Sequence, residues 1–130
     1  MNRRKAVNDF ALDALGALGV PSGRLLEKKE YPVVTFEPRN RQTVEYGNGA
    51  QIVFTADIEV SVRDRDRGFQ RIDPLLEQAQ SLFLGRQGAE FAGCSVDSVR
   101  ETEARDEIKA ENGAVYCRGI LVFRVCFRER

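Results

Sequence analysis

The sequence predicts an α+β domain: two helices packed on one face of an antiparallel, at most mixed, sheet of about four strands. Two segments place apolar residues at helical spacing. The others are β-branched or alternating runs, and the elements follow in the order α-β-β-α-β-β with short connections. At 130 residues the chain reads as one domain, residues 1–130, with room for one core and not for a second.

The first element is an amphipathic helix. Val7, Phe10, Ala11, Ala14, Leu15 and Leu18 recur at the spacing of one buried stripe, and Gly19 followed by Pro21 supplies its stop. A short strand over residues 31–36, "YPVVTF", comes next, and Pro38 marks it as an edge, a bulge or a break because proline donates no ladder hydrogen bond. In "TVEYGNGAQIVF", Asn48-Gly49 stands between extended segments as a hairpin turn. The following strand is unambiguous: Ile52, Phe54, Ala56, Ile58, Val60 and Val62 alternate with Val53, Thr55, Asp57, Glu59, Ser61 and Arg63, one side core and the other mostly solvated.

"DPLLEQAQSLFL" is the second helix, with Asp73 as its N-cap, Pro74 as its first helical residue and a buried stripe of Leu75, Leu76, Ala79, Leu82 and Phe83. Phe69 and Ile72 anchor the turn before it, or a helix start kinked at Pro74. Residues 94–111 mix signals, since Val96 and Val99 break alternation and "ETEARDEIKAE" suits a helix. Asn112-Gly113 leads directly into the strongest strand, however, so the segment reads as the charged first arm of a hairpin. Segment 50–64 alone would span about 50 Å at about 3.3 Å per residue, whereas a domain of this size is about 28 Å across. The long strands are therefore expected to project.

Lysine plus arginine equal aspartate plus glutamate, 20 each, so no net field draws nucleic acid or an anionic membrane. No apolar run approaches the roughly 20 residues of a membrane span, and no signal-peptide core follows "MNRRKAVNDF", so no membrane partner is expected and the chain reads as intracellular. Cys94, Cys117 and Cys126 form no CxxC and read as reduced thiols; a bridge from Cys94 to either other cysteine is the alternative. There is no histidine, which removes the commonest general base and the Ser-His-Asp and Cys-His arrangements. The glycine-rich pieces lack phosphate-loop spacing. No cofactor, catalytic residue or resident metal is expected. The nearest approach to a metal site is Asp57 with Glu59 and Asp64 with Asp66, each pair facing one way on a strand. Arg63, Arg65 and Arg67 alternate with the second pair, which makes "VRDRDRG" self-neutralising and better suited to solvent or a subunit contact.

The last strand poses the main question. Val115, Cys117, Leu121, Phe123, Val125 and Phe127 form one apolar face. The other carries Arg118, Arg124 and Arg128 among Ile120, Val122 and Cys126. Three readings stand: a solvated face, phosphate contact, or a protein interface rich in arginine. The acidic stretch holding Asp97, Glu101, Glu103, Asp106, Glu107 and Glu111 matches the arginines in sign, within the chain or across chains. The second face is too apolar for plain exposure along its length, and the expectation is a partner chain there. Candidate interface or lumen residues are Arg63, Asp64, Arg65, Asp66, Arg118, Arg124, Arg128, Glu101 and Glu103.

Taken together, the first helix, "YPVVTFEPRN", "AQIVFTADIEVSVRDRD", "DPLLEQAQSLFL", the charged arm and "AVYCRGILVFRVCFRE" resemble the tail terminator (tail-completion) proteins of long-tailed bacteriophages and gene-transfer particles. The resemblance spans the whole chain in element order and strand style. It implies a structural virion protein, not an enzyme, assembled in the host cytoplasm as a ring, usually a hexamer, on the last ring of the tail tube. Its implied partners are further copies of itself, the tail tube protein and the head-closure or connector protein, with DNA only as passing cargo. Another neck ring (head closure or adaptor), a tail tube subunit, a small nucleic-acid-binding module, and a carboxylate-metal enzyme at Asp57, Glu59, Asp64 and Asp66 are the other readings.

Overall fold

The computed structural model describes residues 3–18, 22–23, 31–39, 43–46, 52–91 and 93–129. The elements are α1 (Arg3–Leu15), β1 (Ser22–Gly23), β2 (Val33–Pro38), β3 (Thr43–Tyr46), β4 (Ile52–Arg65), α2 (Ile72–Leu84), β5 (Glu90–Phe91), β6 (Cys94–Glu111) and β7 (Ala114–Glu129). The four expected strands are β2, β4, β6 and β7. They pair antiparallel in the order β2-β4-β7-β6, while β1 adds a parallel pair outside β2, β3 pairs with β4, and β5 adds to the β6 side. The sheet is thus mixed only at its β1 margin.

Both helices lie on one face. Phe10 of α1 meets Phe83 of α2 and Phe127 of β7 edge-on, at centroid distances of 5.6 and 5.5 Å. Phe83 stacks on Phe123 at 4.6 Å and Phe54 on Phe127 at 4.9 Å. All six stripe residues expected of the first helix are buried, although the α-helix ends at Leu15 and a single 3-10 turn, Gly16–Leu18, carries Leu18 into the core. The Gly19 and Pro21 stop and the Asn48-Gly49 turn lie outside the described residues. Pro38 is the last residue of β2, opposite Ile58 and past the two residues that pair with β1, so its missing amide costs no ladder bond.

Two local readings need correction. The second helix starts one residue earlier than its expected cap: Arg71 stands at the cap position without a capping side chain, and Asp73 lies within the first turn. The Asp73 amide donates to the Phe69 carbonyl (3.0 Å), so a preceding turn carries the helix in. Pro74 fits because first-turn amides need no helical acceptor, and Asp73 faces the positive end of the dipole. Val115, expected in the core, is 44% exposed, because it lies at the hairpin tip.

β6 explains its own mixed pattern. Register shifts fall between Val96 and Ser98 and between Glu101 and Glu103, and each bulge moves the following residues to the opposite face. Val96, Val99 and Glu101 consequently all face the helices, although no strict alternation links them. The β6–β7 turn has Asn112 at φ 51° and Gly113 at φ 78°, the double positive φ that an Asn-Gly hairpin turn provides. Gly119 is required for close approach. A Cβ there would stand 2.3 Å from Leu76 Cδ1 and 2.9 Å from Ile72 Cγ2, so its absence lets the start of α2 sit directly on β7.

Candidate subunit interface

The open face of the sheet, away from the helices, is a ladder of ion pairs. Arg124 on β7 stands opposite Asp57 on β4 and donates to both its oxygens at 2.9 and 3.2 Å. Arg128 pairs with Asp97 at 2.9 Å, and Arg118 reaches Glu107 at 3.4 Å and Glu59 at 3.9 Å. Arg39 donates to Glu103 at 2.7 Å, and Arg105 contacts Glu103, Glu107 and Glu59. The charges move with these bonds. Hydrogen bonding to Asp57 and its charge hold the Arg124 pKa up, Asp97 does the same for Arg128, and the Arg39 bond leads the effects that pull Glu103 down.

This ladder answers the question of the second face. Ile120 and Val122 are 0% and 2% exposed within the single chain. Arg105 on β6 and Glu59 on β4 are separated by β7, so their contact must cross it, beside Ile120 and Val122, and the Arg39–Glu103 pair crosses at the same level. Long charged side chains thus cover the apolar atoms with their stems. No partner chain is needed to bury them, which removes the apolar argument for an interface on that face. The acidic arm does match the arginines within the chain, except that Arg124 takes Asp57 instead.

The remaining candidates separate by position. Arg63 lies over the Tyr116 ring at 4.7 Å, with Arg65 at 5.9 Å from the same ring and Tyr31 beside it, an arginine–tyrosine cluster that strand alternation alone did not reveal. Asp64 is not a surface group. It is 0% exposed and faces the helix layer, where Arg71 donates to both its oxygens at 2.7 and 2.8 Å and the Arg65 amide adds a third bond at 2.8 Å. Burial pushes its pKa up, but the Arg71 and Arg65 bonds and the charges of Arg71 and Arg67 outweigh it, and the net shift is downward. Asp66, at φ 58°, accepts the Val115 amide at 2.8 Å and donates its own amide to the Val115 carbonyl at 2.7 Å. Both aspartates therefore anchor the β4–α2 connection. Asp57 and Glu59 occupy the opposite face from Asp64, so the four carboxylates do not converge on one ion.

Glu101 belongs to a different surface. The two bulges carry Glu101, Ala104, Asp106 and Ile108 to the helix side of β6, beyond the cover of α2. A groove of about 310 Å³ runs between α2 and β6, with Leu76, Ala104 and Leu121 as its floor and Asp73, Glu77 and Glu101 at its rim. Gln80 donates to Glu101 at 2.9 Å. Past the groove the same face of the hairpin presents Ile108 and Val115, 70% and 44% exposed. The groove was hidden from the sequence because bulges shift parity and the helix-like "ETEARDEIKAE" conceals which residues share a face.

No protein-family model and no curated protein sequence matches the chain. Its fold is similar to that of a chain in a solved structure entitled "Virion of native gene transfer agent (GTA) particle", with a TM-score of 0.72, 16% sequence identity and 96% of each chain covered. At that identity the likeness is one of fold. No helix among the described residues is long and apolar enough to cross a membrane.

Proposed function

We propose that this chain is a structural subunit of a phage-like or gene-transfer particle that assembles as a ring, a hexamer, on the end of the tail tube. The ring stops tube growth and offers the surface on which the head-side connector docks, and DNA passes through it as cargo. The observation that carries this reading is the full-length fold likeness to a chain of a gene transfer agent virion. The β6–β7 hairpin supports it: all eight residues from Ala104 to Glu111 are exposed, a length of strand that the chain's own core does not use. An alternating ion-pair face also suits a subunit that must remain soluble until it meets a tube.

The test is native mass spectrometry of the full chain, alone and with tail tubes assembled from the same particle's tube protein. The expected result is a closed oligomer of six copies, formed in solution or on the tube end. A strict monomer that also leaves tube ends unoccupied would overturn the reading. A ring that binds tubes without limiting their length would move the chain to another position in the neck.

A further inference from the structure

Resting on the ring reading, we infer that the acidic groove between α2 and β6 is one half of the subunit contact, and that its occupant is α1 of a second copy. Four carboxylates, Asp73, Glu77, Glu101 and Asp106, face this groove or the hairpin surface that continues it, and none has an ion pair among the described residues. The open face differs in kind, since its carboxylates hold cations of the same chain. An apolar floor, an acidic rim without ion pairs among the described residues, and exposed Ile108 and Val115 together describe a surface for a helix with cations and an apolar anchor.

α1, whose first turn holds Arg3, Arg4 and Lys5 against Asp9 and Asp13 further on, lies on the opposite side of the fold, with Arg3 paired to Glu129. The sheet runs from β1 and β2 at one margin to β6, with the short β5 outside its root, at the other. α1 packs beside β1, β2 and α2, while the groove lies on the β6 side of α2. α1 is fixed to the α2 side through Asp13, which pairs with Arg86 at 2.8 Å. Arg4 lies about 180° around the helix from Asp13 and is exposed. Lys5 has a side chain 71% exposed, bonded along its own helix to Asp9, and Leu12 is 46% exposed. Leu12 and the Ile108–Val115 pair are thus exposed apolar groups at opposite margins of one layer. Seating α1 of one copy in the groove of the next sets helix beside helix and brings the β6 edge of one sheet to the β1–β2 margin of its neighbour. Two different surfaces meeting head to tail generate a ring when the rotation closes, and opposite charge selects the register.

Charge exchange tests this directly. One variant carries Glu77→Arg with Glu101→Arg, and the other Arg4→Glu with Lys5→Glu. The sets break the Gln80–Glu101 and Lys5–Asp9 bonds but no core contact, and circular dichroism should show both variants folded. By sedimentation and native mass spectrometry, each variant alone should associate at least about a hundredfold more weakly than wild type, because like charges face each other at every contact. An equimolar mixture should recover the wild-type oligomer with the two variants alternating, since each contact then pairs opposite charges again. Association of the separate variants at wild-type strength, or a mixture that fails to recover, would overturn this surface and leave the ring reading standing. A wild-type chain that forms no oligomer, alone or with tail tubes, would defeat the ring reading itself.

Discussion

The root and the tip of the β6–β7 hairpin are built from the same kind of strand but have opposite fates. At the root, Phe123, Val125 and Phe127 are fully buried beneath Phe83 and Phe10. At the tip, Ile108 and Val115 keep the same outward alternation with nothing of the described chain above them. Alternation sets which way a side chain points, and an overlying helix decides whether it is buried. α2 sits on β7 at Gly119, and Arg71 at its start reaches Asp64 opposite Cys117, so that Cys117 and Ala114 are still 3% exposed. Ile108 and Val115 lie outside that cover and contribute little to the monomer.

Substitutions at the two ends sharpen this contrast. The largest expected effect is at the root: Phe123→Ala should cost about 3–5 kcal/mol, read as a drop in the denaturant midpoint. Gly119→Val, at the boundary, should cost about 2 kcal/mol by overpacking against Ile72 and Leu76, with loss of protection from hydrogen exchange in α2. Asp64→Asn should cost about 1.5 kcal/mol, because a neutral side chain holds Arg71 less strongly. Its pH signature is specific. The folded pKa of Asp64 lies below its ordinary value of 3.8, so its contribution is full above that value and is lost as pH falls through the lower, folded value. Urea titrations of wild type below about pH 4 should therefore steepen in pH dependence relative to the asparagine variant. Ile108→Ser should change stability by no more than about 0.5 kcal/mol while weakening association. A large loss of monomer stability from Ile108→Ser, or none from Phe123→Ala, would break the contrast.

Legibility in the sequence followed the same division. The stripe of α1, the apolar side of β4 and the Asn112-Gly113 turn each have a strong local cause and appear as read, whereas the second side of β4, expected mostly solvated, is half-buried, with Asp57 and Ser61 buried. The start of α2 was displaced because Phe69 and Ile72 continue the helix backward through a turn that Asp73-Pro74 seemed to close. The arginine face was legible only in part. Composition shows that Ile120 and Val122 stand among arginines, but not that Arg39 and Arg105 arrive from other strands to cover them. The groove depends on two bulges at Asp97 and Thr102, and bulges leave no clear mark in a charged strand whose residues also suit a helix.

The central claim, a ring subunit that ends a tail tube, is met most directly by tail length. Particles produced without this chain should show tubes of broad and often excessive length, unattached to heads, by electron microscopy, and supplying the wild-type chain should restore one length and joined particles. Tails of normal, uniform length in its absence would contradict the claim.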